Sequence, residues 1–518
     1  MEPHDDKPVL IYDGKCGFCK IWIDYWRTLT GDAVTYAASQ DVGDRYPQIP
    51  KEAFSRSVQL VLPSGEVISG ARAVFEILAN DHSRRWMLTA YEGVPGFAVV
   101  SEVSYRVIAS RRNIFYWITV LLFGRTVQPL RFESIAWLFT RALALVCLVA
   151  FVSFGVQSRA LIGSHGVEPV AYYFQRVREA LGPGGFIAAP SVFWLGASDT
   201  MIQAVWICGA LCSALALAGV MWRGALSIAF VCYLSLLNGS QEFLGYQWDI
   251  LLLETIFLTL FLGYSRVVIW MSRWLLFRLM FLSGVVKLIS GDPTWRNLTA
   301  LTVHFQTQPI PTPLAWYAHQ MPVALLKTAC LFTLTIELAV PFLIFGPRRI
   351  RAFAAAWLIA LQIMIILTGN YAFFNWLSIA LCLFLFDDGH LRTLLRRRTE
   401  PVAGRLHVRR RIALAAAVII GVLSILNMLE TLRFQLPAGA RSLITTASPF
   451  GITSSYGLFA NMTTTRPEIV IEGSNDGTTW AAYAFRYKPG PLDRRPPWVA
   501  PHQPRLDWQM WFAALGSF

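Results

Sequence analysis

Long apolar runs separated by short polar segments constrain this chain more than any other feature, because a bilayer core admits only backbone whose amides are hydrogen-bonded within the segment itself. From Ser134 onward the runs cover Ser134–Gly155, Met201–Trp222, Gly224–Asn238, Asp249–Tyr264, Val267–Ile289, Pro322–Phe345, Ile350–Thr368, Phe373–Phe386 and Ile412–Leu432. Several are shorter than the roughly 20 residues a spanning helix needs, and about nine spans are expected. Charged residues make up only 15% of the 518, well under the roughly 25% usual in soluble proteins, and mean hydropathy is +0.47. The expected fold class is an α-helical polytopic membrane protein. A net charge of +13 would suit nucleic acid, but the arginines fall in short runs beside apolar segments. Membrane topology accounts for that placement, so membrane lipids and not nucleic acid are expected as partners.

Those arginines also orient the chain. Arg125 and Arg131, Arg223, Arg266 and Arg273, Arg348, Arg349 and Arg351, and the run Arg392 to Arg411 fall on alternate loops, which the positive-inside bias assigns to the cytoplasm. The intervening segments, Gly239 to Trp248 and Gly291 to Pro322 among them, are poor in Lys and Arg and are expected outside. The N-terminus is then cytoplasmic and the C-terminal region outside or lumenal, in a bacterial inner membrane or in the endoplasmic reticulum of a eukaryote. Sequons at Asn238, Asn297 and Asn461 fall on the outer segments. The opening MEPHDDKPVL has no basic stretch followed by an apolar core, and no cleavable signal peptide is expected.

Residues 1–112 read as a small α/β domain, and 113–133 as a basic linker whose apolar part, Ile114 to Phe123, is too short to span and is expected along the membrane interface. Pro8 to Tyr12 is a strand leading into Asp13-Gly14 and Cys16-Gly17-Phe18-Cys19. Lys20 to Leu29 is an amphipathic helix, Val34 to Ala37 and Val58 to Leu62 are strands, and Gly70 to Leu78 is a helix. A C-x-x-C at a helix start after a strand suits a thioredoxin-like unit. The helix dipole and free amides favour the thiolate of Cys16, the nucleophile, and Cys19 is placed to resolve a mixed disulfide. Asp13 either steers protons or caps the turn. No second C-x-x-C or C-x-x-H exists in the domain, so no metal is expected. Cys147, Cys208, Cys212, Cys232, Cys330 and Cys382 lie in apolar runs, where a small buried thiol is the default.

The Asp13, Cys16, Cys19 pattern resembles the DCC family of thiol-disulfide oxidoreductases, as do GARAVFEIL (Gly70 to Leu78) and VPGFAVVSEVSYRVIASRR (Val94 to Arg112). The resemblance implies a redox-active dithiol without a separate cofactor, and a thiol redox partner. No proline precedes Val58 to Leu62, where thioredoxins carry a cis-proline facing the dithiol. Docking of substrate in the thioredoxin manner is therefore not expected.

Between two apolar runs lies Gly291 to Pro322. Pro309, Pro311, Pro313 and Pro322 deny it a continuous helix, so a large outside loop (290–321) or re-entrant cap is expected. Asp292, Trp295, Arg296, Asn297, His304 and Gln308 form a polar and aromatic set there. His304 has no Ser, Cys or metal-spaced His beside it, which favours a client-binding surface over a nucleophilic triad or zinc centre. Charges also fall at membrane depth: Arg141, Asp249, Glu254, Arg278, Lys287 and Glu337. The basic ones can snorkel and Asp249 sits at a helix end, whereas Glu254 and Glu337 need a basic partner such as Lys287 or Arg278. A structural ion pair and a transport or catalytic role are both open to them.

Beyond Leu432 the chain turns polar. Glu468 to Glu472 and Trp480 to Tyr487 read as strands around a Ser474-Asn475-Asp476-Gly477 turn, so a β-rich extracytoplasmic domain is expected over 433–518, with 134–432 forming the bundle. Three ordered blocks resemble the lipase maturation factor family of polytopic membrane proteins: YQWDILLLE (Tyr246 to Glu254), Phe281 to Pro322, and the tail from Ser455 through SYGLFANMT, EIVIEGSNDG and VAPHQPRLDWQMWFAAL. The resemblance covers about Phe132 to Phe518 and implies assistance to the folding of secreted lipases or other exported clients. Members of that family continue further, which implies more chain beyond Phe518. No G-x-S-x-G is present, so the chain is not itself a lipase of the α/β-hydrolase kind. Two other classes fit the bundle. One is a redox enzyme binding a lipid or quinone, as its likeness to the vitamin K-dependent carboxylase membrane domain implies, with Glu254, Lys287 and Glu337 converging on an apolar pocket. The other is a transporter, although no internal repeat is visible.

Overall fold

The computed structural model describes residues 7–391, 406–491 and 493–516. Of the expected cytoplasmic run Arg392 to Arg411, residues 392–405 lie outside that range. The chain divides into two compact units, one ending at Arg131 with 347–350 attached, the other covering the remainder.

In the N-terminal unit, strands β1 (Val9–Tyr12), β2 (Thr35–Ala38), β3 (Gln59–Val61) and β4 (Val67–Ser69) form one sheet in the order β2-β1-β3-β4. β1 pairs parallel with β2 and antiparallel with β3, which pairs antiparallel with β4. A parallel pair needs a crossover, and helix α1 (Gly17–Thr30) supplies it. Alternation along β1 sends Leu10 into a core with Ile23, Leu60, Ile68 and Ile77, and Val9 and Ile11 into another with Ile49 and Phe54. The β3–β4 turn closes with Gly65 N–H donating to Leu62 O at 2.9 Å, and Gly65 has φ of +84°. The unit also holds helices α2 (Gly70–Leu78), α3 (Phe97–Ser110) and α4 (Arg112–Phe123), with Lys51–Arg56 and Arg85–Gly93 as shorter ones. β4 was not expected from the sequence; with three residues it is too short to carry a period.

Six helices long and apolar enough to cross a membrane are found among the described residues, all in the second unit but for residues 348–350: Glu133–Gly155, Asp199–Ala218, Val267–Ile289, Val323–Phe345, Arg348–Thr368 and Val408–Thr431. The other three expected spans are also helical, as Trp222–Gly239, Gln247–Leu260 and Phe374–Cys382 followed by a 3-10 turn to Leu385. Although short, each runs between the same two ends of the bundle. At one end, Arg223 donates to Leu262 O at 2.6 Å, Arg273 to Phe384 O at 2.9 Å and Arg351 to Leu385 O at 3.2 Å. At the other, Asn238, Gln247 and Asn370 bond Pro449 O, Gly457 N–H and Val499 N–H. Small residues let helices approach: a Cβ on Gly209 would run into the Phe151 ring.

The expectation of a β-rich C-terminal domain is met only weakly. Among the described residues of the tail, regular strand is confined to Glu472–Gly473 paired with Ala481–Ala482. The described tail otherwise consists of helices Ala438–Ala447 and Arg505–Ala513 joined by irregular chain. Val470 and Trp480 are exposed on both sides of that ladder, so no buried face extends the alternation into a sheet.

Candidate functional site

The dithiol sits where the sequence places it. Cys16 is the N-cap of α1, and its sulfur accepts the Cys19 backbone N–H at 3.2 Å. Hydrogen bonding from the Cys19 thiol, the Cys19 amide and the charge of Arg112 together outweigh burial and lower the Cys16 pKa to about 6. The same bond to Cys16, with burial, pushes the Cys19 thiol well above its ordinary range. A thiolate at the helix start beside a protonated second thiol is the arrangement that attacks a disulfide and then resolves the adduct. Asp13 caps the turn by accepting Lys15 N–H at 3.0 Å, and it also accepts Gln40 Nε2 at 3.0 Å and pairs with Arg112 at 3.5 Å. Arg112 went unassigned in the sequence because it lies nearly a hundred residues from the motif; only the fold brings α4 back to α1.

In the bundle, Asp249, Glu254, Arg278, Lys287 and Glu337 form or join ion pairs, each completed by the tail, while Arg141 lies over the Trp137 ring at 5.1 Å. Arg505 grips Asp249 with two parallel bonds, Nη1 to Oδ2 at 2.7 Å and Nη2 to Oδ1 at 2.8 Å, while Tyr233 donates to Oδ1 at 2.5 Å. Glu254 bonds Arg278 and accepts Tyr456 OH at 2.6 Å, and Arg278 donates to Ser454 O at 3.0 Å. Lys287 pairs with Glu337 at 2.7 Å and donates to Leu458 O at 3.1 Å. The acids and bases of all three pairs are buried. Glu254 and Glu337 thus have separate partners, Arg278 and Lys287. Arg505, Tyr233 and Tyr456 escaped sequence reasoning; a lone arginine between prolines and tryptophans in the tail was the available signal.

The Gly291 segment forms three short helices, Pro293–Arg296, Ala300–Thr307 and Pro313–His319. Asp292 caps the first and accepts Met462 N–H at 2.6 Å; burial opposes its charge, but that bond and those from Thr294 hold its carboxyl below the usual range. Trp295 is buried and its Nε1–H donates to Phe459 O at 2.9 Å. Gln308 is buried, accepts Tyr371 OH at 2.9 Å and donates to Thr368 O at 2.8 Å. His304 lies edge-on to Phe459, with burial and the Lys287 charge lowering its pKa to about 4. Arg296 and Asn297 are exposed. Further along the tail, Arg466 donates to Gln306 O at 3.0 Å and Pro309 O at 2.9 Å, and Asn370 accepts Val499 N–H and Ala500 N–H at 2.8 and 2.9 Å. Segment and tail therefore form one clasp over the bundle, with Arg296 and Asn297 on its outer side.

Comparison with known proteins bears on both sites. Residues 135–393 match the lipase maturation factor transmembrane domain, residues 452–518 the lipase maturation factor C-terminal domain, and residues 10–117 the DCC1-like thiol-disulfide oxidoreductase family. Lipase maturation factor 2 of Xenopus laevis is 35% identical over 71% of this chain and 69% of its own. The Homo sapiens protein of that name is 33% identical over 73% and 71%. Lipase maturation factor 1 of Bos taurus is 32% identical over 73% and 74%. No solved structure gives a significant match.

Proposed function

Because the chain belongs to the lipase maturation factor family and carries a DCC1-like domain ahead of its membrane helices, we propose that it assists maturation of secreted lipases from the membrane, with an attached thiol-disulfide oxidoreductase. The observation that carries this reading is the clasp. Three buried ion pairs and the Gly291 segment fix the tail against one end of the bundle, giving a rigid outer face on which Arg296 and Asn297 are presented to a client.

The clasp end is the outer one in this proposal. Arg223, Arg273 and Arg351 gather at the opposite end of the bundle, as the positive-inside bias favours for the cytoplasm. The first span begins there, since Ile135 N–H donates to Asp388 next to Asp387 and Arg351. The thioredoxin-like N-terminal unit is then cytoplasmic. In its reaction the Cys16 thiolate attacks one sulfur of a partner disulfide and releases the other as a thiolate. Cys19 then attacks the Cys16 mixed disulfide, leaving a Cys16–Cys19 disulfide and a partner reduced by two electrons.

The test is co-expression with a secreted lipase, reading active lipase released per lipase chain made. Trp295→Ala and Arg296→Ala should each lower that ratio at constant level of the membrane protein; an unchanged ratio for both refutes the clasp as the client face. Labelling Cys16 with a membrane-impermeant thiol reagent should require permeabilised cells. Labelling in intact cells would invert the proposed topology.

A further inference from the structure

The N-terminal unit leaves two consecutive helices with unpartnered apolar faces. On α4, Ile114, Trp117, Ile118 and Leu121 follow the i, i+3, i+4, i+7 spacing of one helical stripe, and Trp117 and Leu121 are each 68% exposed. On α3, Val99, Val100, Val103 and Val107 are exposed, with 67% for Val99 and 66% for Val100. The inner faces of both helices are engaged: Tyr105 OH accepts Val58 N–H at 2.9 Å, Glu102 accepts Arg72 N–H at 3.1 Å, and Thr119 is buried. Apolar exposure on this scale marks an interaction surface.

Three observations select the occupant. At 12 residues, α4 is about 18 Å long and cannot cross a bilayer. The first membrane span begins at Glu133, and the ten residue steps from Phe123 reach at most about 35 Å, which is the most the chain allows between the end of α4 and the start of that span. Arg106 is exposed on α3, Arg111 is exposed between α3 and α4, Arg125 and Arg131 are exposed in the chain that follows α4, and the tryptophan sits mid-stripe. An apolar face with an interfacial Trp and a basic surround matches the chemistry of an anionic lipid surface.

We propose that α3 and α4 dock the redox unit onto the anionic surface of the leaflet at which the first span begins, and that α4 thereby holds the dithiol at the level of the lipid headgroups. The buried side of α4 makes the connection. Tyr116 lies against Gly17, where an added Cβ would be 3.4 Å from its ring, and Arg112 pairs with Asp13 beside Cys16. The docked helix is therefore also the helix that covers the C-x-x-C, and the dithiol serves a redox partner that reaches it along the membrane surface. Nothing in this depends on which side of the membrane that leaflet faces or on whether a lipase is the client.

The experiment places the photo-crosslinking amino acid p-benzoylphenylalanine at position 117, at 103 and, as control, at 66 on the exposed β3–β4 turn, in the full-length protein. Nanodiscs contain alkyne-tagged phosphatidylserine in phosphatidylcholine. Tagged lipid should be captured at 117 and 103 at least several-fold more than at 66, and less when tagged phosphatidylcholine replaces the anionic lipid. Capture of another segment of the same chain, capture of a second copy, or lipid capture equal to the control would each overturn the proposal.

Discussion

Replacing Cys19 by alanine should slow the dithiol most at acid pH. An ordinary cysteine titrates near 9.0, whereas Cys16 is lowered to about 6, chiefly by the bond from the Cys19 side chain. A group ionising at 6 is about 9% thiolate at pH 5, against about 0.01% for one ionising at 9, roughly a 900-fold difference in population. The more acidic thiolate is intrinsically weaker, and a Brønsted coefficient near 0.45 over three decades removes about 20-fold. The net advantage is thus about 40-fold at pH 5 and only about 4-fold at pH 7, so a single rate at neutral pH would miss it. The assay is stopped-flow reaction of the reduced full-length protein with an aromatic disulfide between pH 4 and 9, with Cys16→Ser as the baseline. Wild type should give a midpoint near 6, falling off as pH drops through that value. Cys19→Ala should move the midpoint upward and Cys19→Ser, which keeps a hydroxyl donor, should move it less. A wild-type midpoint near 9, or the same midpoint in Cys19→Ala, would refute the assigned cause.

Removing one partner of the Asp249–Arg505 fork leaves a buried charge uncompensated, so Arg505→Met should cost about 3–5 kcal/mol, read as a lowered unfolding midpoint by intrinsic tryptophan fluorescence. The double variant Asp249→Leu/Arg505→Met should recover much of that loss. Gly209→Ala drives a methyl into the Phe151 ring and should destabilise by about 1–3 kcal/mol, whereas the same change at Gly224, where a Cβ meets open space, should stabilise the helix slightly. Trp295→Ala removes both the Phe459 bond and a buried ring; limited proteolysis should then cut the tail near Met462 well before the membrane helices.

Much of the chain was legible because the governing pattern is local. Every apolar run from Ser134 to Leu432 became a helix, since a backbone in hydrocarbon has no other way to satisfy its amides within one segment. The C-x-x-C was equally plain, because a cysteine at a helix start needs only its own next turn to bond it. The tail misled for a related reason: alternating residues around Ser474–Gly477 carry the local signature of a hairpin, but without a buried face the ladder stops after two pairs.

Membrane helices and the C-x-x-C were thus determined by the sequence through short-range periodicity and motif spacing, and the family through the resemblance of whole sequence blocks. Which charges are paired was decided only by tertiary structure. Asp249 looked like a helix-end residue until Arg505, 256 positions away, was brought onto it. Glu254 could have chosen Lys287 or Arg278, and helix packing, with Gly284 against Glu337, sets Lys287 beside Glu337 and leaves Arg278 for Glu254. The same holds for the Gly291 segment, where Asp292 and Trp295 are bonded by the tail's backbone. Backbone groups far away in the chain leave no trace in local composition, so a loop that reads as an open surface folds as half of a clasp.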